Sequence, residues 1–225
     1  MKFAVLLSGH VRDSLKHDNV KKIIKAIEKK GECDVYCWTF YNKDHSTKTW
    51  YQQDRQLQNE KINLYDLKNF LNFKKIKISK EKKYTKQEIN NLWGKSPVSF
   101  VGVKSMYNGI FECLKLLEQK YDYVFRMRFD YHKFNYANYT RDILDLLSKI
   151  DFFDNSVNSV KVKNSRGEDC FFYSSQKNFT KILEYIIINF DKIESEIKKL
   201  NYYFMPEDLL LYSCKKQNII YKVHN

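Results

Sequence analysis

The sequence lacks the features that would divide it or anchor it. Only six glycines and two prolines occur in 225 residues, and they build no clear linker, internal repeat or low-complexity tract. No apolar run approaches the roughly twenty residues that a membrane-spanning helix needs. Phe3–Leu7 is too brief for the apolar core of a secretion signal and ends in Ser8-Gly9-His10, and the stretch around Ile186–Ile188 is also short. Cysteines are few and irregular: Cys33, Cys37, Cys113, Cys170 and Cys214 form an odd set without regular metal spacing. That argues against a zinc site, and reduced, mostly buried thiols in a cytoplasmic protein are expected. A Walker loop, a dinucleotide fingerprint and a Gly-x-Ser-x-Gly elbow are all missing, and Ser8 and His10 lie too close together to imply a nucleophilic triad.

What is present describes one globular domain over 1–225, with a poorly legible basic insertion at about 41–95. A hydrophobic content of 43% excludes wholesale disorder and allows a sizeable core. The net charge is +13, and residues 1–95 carry +10 of it, with 21 Lys and Arg against 11 Asp and Glu. Lys74 to Lys86 holds seven lysines against the single acid Glu81. Such a run favours an anionic partner: membrane headgroups, nucleic acid or a phosphorylated substrate. It also fits a solvated lysine-rich surface.

Hydrophobic periodicity organises the chain. Phe3–Leu7 is a buried first strand, Ser8 to Asp13 the loop after it, and Leu15 to Lys30 a helix with Val20, Ile23, Ile24 and Ile27 on one face. Asp34–Phe40 is a second strand, so the opening is a β-loop-α-β unit that predicts a parallel α/β sheet. Within the polar stretch 41–93, a short helix near Leu64–Leu71 and a strand near Lys75–Ser79 are expected. A helix from about Ser99 to Lys120 keeps Val103, Met106, Ile110, Leu114 and Leu117 on one face. The strand Tyr121–Asp130 follows, then a helix at Arg141–Ile150 and two strands, Ser159–Val162 and Cys170–Tyr173, around an Arg166–Asp169 turn. Asn178 to Leu200 is a long amphipathic helix whose apolar stripe suits a core face or a partner seam. Pro206 starts a final helix, and Ile219–Val223 is a last strand.

Four constellations carry candidate chemistry. On a strand, Arg126, Arg128 and Asp130 point to one side while Phe125, Met127 and Phe129 point to the other. Two guanidiniums and a carboxylate at a strand's carboxyl end suit a phosphate-bearing ligand; they also fit an ion-paired edge strand in which Asp130 neutralises Arg128. Asp130 and His132, two residues apart, could share a divalent ion (Mn or Mg), although one carboxylate and one imidazole make an incomplete shell. Ser8, Gly9, His10 and Arg12 lie where open parallel sheets bind ligands, beyond the carboxyl end of a strand. Asp169 closes a turn and could face a sugar. Glu207 and Asp208 follow Pro206, as at any helix start, and could also act as a general base or anchor an acceptor hydroxyl.

In this order the pieces resemble small bacterial and viral glycosyltransferases with the glycosyltransferase-A fold, of the kind found in capsule and lipopolysaccharide clusters. The matching features are Leu7-Ser-Gly-His-Val-Arg12, a helix carrying Ser105-Met106 and Cys113-Leu114, and Tyr121-Asp122 leading to Arg126-Met-Arg128-Phe-Asp130. Asp169-Cys-Phe-Phe-Tyr173 and Pro206-Glu207-Asp208-Leu209 complete them. The resemblance implies an α/β fold with a single Rossmann-like, mixed, mainly parallel sheet flanked by helices. It implies a nucleotide-diphosphate sugar held by Ser8, Gly9, His10, Arg12, Ser105, Arg126, Arg128 and Asp130. A glycan or lipid-linked acceptor would lie near Asp169, with Glu207 or Asp208 as catalytic acid or base. Arg128-Phe-Asp130 stands where related enzymes carry a metal-binding Asp-x-Asp motif, so Arg128 replaces the first Asp and takes over part of the metal's charge neutralisation. The expected setting is cytoplasmic, with at most peripheral contact at an anionic membrane and no specific nucleic acid. Two alternatives stand beside it: a basic nucleic-acid or anionic-surface binding module using Lys74 to Lys86, and a relative that binds nucleotide without turnover.

Overall fold

The computed structural model describes residues 1–44, 60–93, 98–131, 137–150, 152–160, 169–199 and 208–224. Its strands are β1 (Lys2–Ser8), β2 (Glu32–Phe40), β3 (Phe73–Ser79), β4 (Tyr123–Met127), β5 (Val157–Val160), β6 (Phe172–Ser175) and β7 (Tyr221–His224). They form one sheet in the order β3-β2-β1-β4-β6-β5-β7. β1 pairs in parallel with both β2 and β4, β2 with β3, and β5 with β7. Only β6 runs against its neighbours β4 and β5. The expected α/β class with a mixed, mainly parallel, Rossmann-like sheet is therefore what the chain adopts.

Both sheet faces are covered, as the near-continuous apolar strands require. On one face, Phe3, Val5 and Leu7 of β1 pack with Phe125 and Met127 of β4. α1 (Asn19–Glu28) and α5 (Ala137–Lys149) lie over them. The α1 residues foreseen as buried, Val20, Ile23, Ile24 and Ile27, are all in this layer, each contributing about 1.5–3 kcal/mol by leaving water. On the other face, Ala4, Leu6, Tyr36 and Trp38 pack under α4 (Phe100–Leu114), α6 (Gln176–Lys199) and α7 (Asp208–Lys216). The stripe Phe179, Leu183, Ile186, Phe190, Ile193 and Ile197 of α6 is buried there, so it is a core face and not a partner seam. The described part of the polar stretch 41–95 supplies α2 (Leu64–Phe70), the edge strand β3 and the short α3 (Lys86–Asn90). No described helix is long and apolar enough to cross a membrane.

Several boundaries differ from expectation: α5 begins at Ala137 and not Arg141, β5 at Val157 and not Ser159, β6 is Phe172–Ser175 and not Cys170–Tyr173, and β7 is Tyr221–His224 and not Ile219–Val223. Three others bear on the site. The helix placed at Leu15–Lys30 begins only at Asn19, after a 3₁₀ turn at Ser14–Lys16, because His17 is extended. α4 ends at Leu114 and not near Lys120. The chain must turn back there so that the Tyr121 hydroxyl can donate to Asp34 at 2.6 Å and pair with Tyr36 at 2.6 Å. β4 ends at Met127, which leaves Arg126 within the sheet while Arg128 and Asp130 lie past its end.

α4 approaches the sheet closely at Gly109. A Cβ there would sit 2.5 Å from Cζ3 and 2.9 Å from Cε3 of Trp38, closer than carbon atoms tolerate. Gly109→Ala should gain up to about 1 kcal/mol of helix propensity but lose about 1–3 kcal/mol to overpacking. Net destabilisation on the order of 1 kcal/mol is expected in urea unfolding. An unchanged midpoint would show that the Trp38 ring can shift freely.

Candidate functional site

Strand order reverses between β1 and β4: the chain builds outward from β1 to β2 and β3, then returns to β1's other side. Loops leaving β1 and β4 diverge at such a point and open a crevice beyond the carboxyl ends of the strands. A cleft of about 690 Å³, counting its open mouth, lies there.

The β1 side is shaped by backbone. Gly9 has φ 118°, a conformation that side chains oppose. Its N–H donates to the Trp38 carbonyl (3.2 Å), and its own carbonyl accepts from the Thr39 hydroxyl (2.8 Å). Arg12, also left-handed at φ 51°, is held by its N–H on the Lys43 carbonyl at 2.7 Å. The loop is thus tied to the exit of β2, and Arg12 projects across the crevice. Its Nε donates to Asp44 at 3.0 Å and its Nη1 to Asp130.

The β4 side supplies the other charges. Arg128 grips Asp130 with two parallel bonds, Nε to Oδ1 and Nη2 to Oδ2, both 2.8 Å. The ion pair of Asp130 with Arg128 therefore forms, with Arg12 as a third member, but β4 lies between β1 and β6 and is not the edge strand of the alternative. Arg126 differs. It is 1% exposed and in register with Leu6 of β1 and Phe172 of β6. Its Nη1 reaches the Cys170 carbonyl at only 3.4 Å, and its Nε has no partner among the described residues. No described carboxylate lies within ion-pair distance of it. Burial lowers its pKa most; Arg128 lowers it further, while Tyr131 and Asp169 act in the opposite direction. Gly102, Ser105 and Met106 of α4 line the same cleft.

The remaining wall comes from β2 and from the loop after β3. His10 stacks on Phe40, with centroids 4.4 Å apart at 25°. Its Nδ1 lies 3.4 Å from the Asn42 carbonyl, and its Nε2 lies 3.8 Å from Glu81 Oε1. Trp38, Phe40, Glu81 and Tyr84 all line the cleft, and sequence reasoning assigned none of them to it. Glu81 carried a signal, as the lone acid of its lysine run. Trp38 and Phe40 end a parallel strand beside β1, so the rule that singled out the β1 loop applied to them too.

Of the residues singled out from sequence, the cleft gathers Ser8, Gly9, His10, Arg12, Ser105, Arg126, Arg128 and Asp130. Asp169 is buried beside Cys170 and is not in the cleft wall. Asp208 opens α7, is buried and also lies away from that wall. Glu207 and His132 fall outside the described residues. Of the two donors expected for a divalent ion, His132 is outside the described residues, and Asp130 engages two guanidiniums through both its oxygens. No group of three or more His, Cys, Asp or Glu suited to a metal gathers among the described residues. In the basic run, Lys74 pairs with Asp34, Lys75 with Glu118, Lys77 with Glu112 and Lys82 with Glu88.

No protein-family model matches the chain, and none of the curated proteins does. Among solved structures, the chain overlays a 4-diphosphocytidyl-2C-methyl-D-erythritol synthase from Anaerococcus prevotii at 11% identity and TM-score 0.41, covering 100% of this chain and 87% of that one. It also overlays a CMP:2-keto-3-deoxy-manno-octonic acid synthetase complexed with CTP at 8% identity and TM-score 0.38, covering 99% and 88%. Overlays this loose carry no argument about the chemistry of this chain.

The clamp on Asp130 generates a prediction. Asp130→Asn removes the carboxylate that neutralises Arg12 and Arg128, which are 12% and 19% exposed. A loss of about 3 kcal/mol is expected, the low end for breaking a buried pair, and millimolar inorganic diphosphate should restore part of it by replacing the lost charge. Urea unfolding with and without diphosphate checks both; a variant as stable as the parent would show that solvent already serves the two arginines.

Proposed function

We propose that the chain binds a nucleotide-diphosphate sugar in the switch-point cleft and transfers the sugar to a glycan or lipid-linked acceptor. The observation that carries this reading is Arg126: a guanidinium buried in a strand, lining a cleft, without an acid partner among the described residues. Such a group is costly in a folded protein unless an anion completes it. Arg128 and Arg12 stand next to it and can turn from Asp130 toward a ligand phosphate, which offers the same bidentate geometry as a carboxylate.

On this reading the diphosphate lies against Arg126, with Arg128 and Arg12 on its flank. As the bond from the anomeric carbon to the diphosphate oxygen breaks, charge grows on the leaving phosphate. The guanidinium of Arg126, fixed in the sheet and screened from water, stabilises that charge without reorganising. Asp169, close enough to act on Arg126 electrostatically, helps to keep the arginine charged in its apolar surroundings. Of the two acids expected as acceptor-side base, Asp208 is buried outside the cleft wall, so the role is assigned to Glu207, and unchanged turnover in Glu207→Gln would remove that assignment. The rival reading of a basic binding module is weakened by the carboxylates already paired with Lys74, Lys75, Lys77 and Lys82.

Arg126→Met separates function from stability. Replacing an under-solvated charge by an apolar chain of similar length should leave the urea midpoint equal or higher. Binding of nucleoside diphosphates should fall about 10- to 100-fold, as when a charge-assisted hydrogen bond is lost. Calorimetric titration with UDP, GDP, ADP and CDP, beside an assay for nucleoside diphosphate released from their sugars, provides the test. Binding unaffected by Arg126→Met would overturn the diphosphate site, and diphosphate released from a nucleoside triphosphate would redirect the activity to nucleotidyl transfer.

A further inference from the structure

The same cleft has a second pole. Glu81 is the one acid between Lys74 and Lys86, and the neighbouring Lys80, Lys82 and Lys83 are exposed. Its side chain is nevertheless only 11% exposed and forms part of the cleft wall facing His10. A loop this rich in lysine solvates its charges readily, and burying its single carboxylate costs hydration that a lysine partner at the surface would not. In the same cleft wall, Trp38 is 6% exposed and its indole N–H has no partner among the described residues. The His10 ring is held in place by Phe40 beneath it.

Sheet order sets the separation of the poles. Glu81 follows β3 and Arg126 belongs to β4, with β2 and β1 between them. The Glu81 carboxylate leans back to His10 of the loop after β1, 3.8 Å away, so the poles stand one to two strand spacings of about 4.8 Å apart, roughly 5–10 Å. The cleft therefore offers cationic groups at one end. At the other it offers a carboxylate, an indole N–H and aromatic faces. A ligand that matches is anionic at one end and carries a ring and hydrogen-bond donors at the other, which is the build of a nucleoside diphosphate.

We infer that Glu81 is a specificity-determining residue that accepts hydrogen bonds from the nucleoside half of the ligand, from a ribose hydroxyl or a base N–H, with His10 beside it and Trp38 in the same cleft wall. The inference rests on the diphosphate reading of the Arg126 end and adds what the opposite end selects.

Titration calorimetry of the wild-type chain, Glu81→Gln and the control Lys82→Gln tests it. The probes are inorganic diphosphate, the diphosphates of uridine, guanosine, adenosine and cytidine, and their 2′-deoxy forms. Inorganic diphosphate should bind all three proteins equally. The best nucleoside diphosphate should bind Glu81→Gln about 10- to 100-fold more weakly, as for a lost charge-assisted hydrogen bond, and Lys82→Gln should match the wild type. If the donor is the ribose hydroxyl, the 2′-deoxy form binds the wild type as weakly as the parent binds Glu81→Gln. If it is a base N–H, the deoxy form keeps full affinity and only a change of base lowers it. Equal nucleotide affinity in wild type and Glu81→Gln, or no gain over inorganic diphosphate from any nucleoside, would overturn the inference while leaving the diphosphate site standing. Failure of inorganic diphosphate to bind the wild type would remove both. Glutamine is isosteric with glutamate, so equal urea midpoints are expected and a binding loss is not a folding loss.

Discussion

A positive charge inside a β-strand is the constraint around which this cleft is organised. Arg126 sits between Leu6 and Phe172 in the sheet and is 1% exposed. Water is excluded from it, and the single carbonyl it reaches at 3.4 Å replaces little of the lost hydration. A fold with a net stability of about 5–15 kcal/mol can carry few such groups. The surroundings limit the damage. Asp169 lies near enough to favour the charged form, and the next two charges of the segment, Arg128 and Asp130, neutralise each other instead of adding to the load. Arg12 reaches in from the opposite loop and draws the β1 and β4 exits together through the same carboxylate. The buried guanidinium thus stands beside a cluster in which Asp130 joins the loops after β1 and β4.

Much of the architecture could be read from periodicity because the strands and helices here have unambiguous patterns. β1 is apolar throughout, β2 fills both faces, and the α6 stripe repeats every three or four residues. Even the lysine-rich β3 was legible, since Phe73, Ile76 and Ile78 punctuate it. What periodicity does not carry is strand order. That β4 lies next to β1, and that β6 intrudes antiparallel between β4 and β5, follows from contacts between residues far apart in the chain. Boundaries failed for a related reason. The helix that ends at Leu114 has a pattern that continues to Leu117, but Tyr121 is claimed by Asp34 and Tyr36, and a tertiary hydrogen bond outweighs one more helical turn.

The candidate site was legible where charge stood out against apolar neighbours. Arg126, Arg128 and Asp130 in a β-run, and Gly9 and Arg12 after the first strand, lie in one cleft. Asp169 and Asp208 stand apart from it, since the acids of a turn and a helix start carry the same letters whether they serve a ligand or the backbone. Glu81, Trp38, Phe40 and Tyr84 were invisible for the opposite reason. Their contribution comes from where β2 and β3 end, and three-dimensional adjacency to β1 is not written in local sequence. The lysine run shows both effects: on the edge strand β3, lysines discourage pairing with another sheet, and carboxylates from neighbouring elements neutralise several of them.

The parallel pairing of β1 with β4 has a consequence in time. Their junction joins residues 120 positions apart, as in the bond from the Lys2 amide to Asp122. A ribosome adding about 5–20 residues each second needs roughly 6–24 s to traverse that interval. β1, β2 and β3 are all made before β4, so on the ribosome the edge of β1 that β4 will cover has no partner from β4, and the cleft between them cannot form, until the chain has passed Met127.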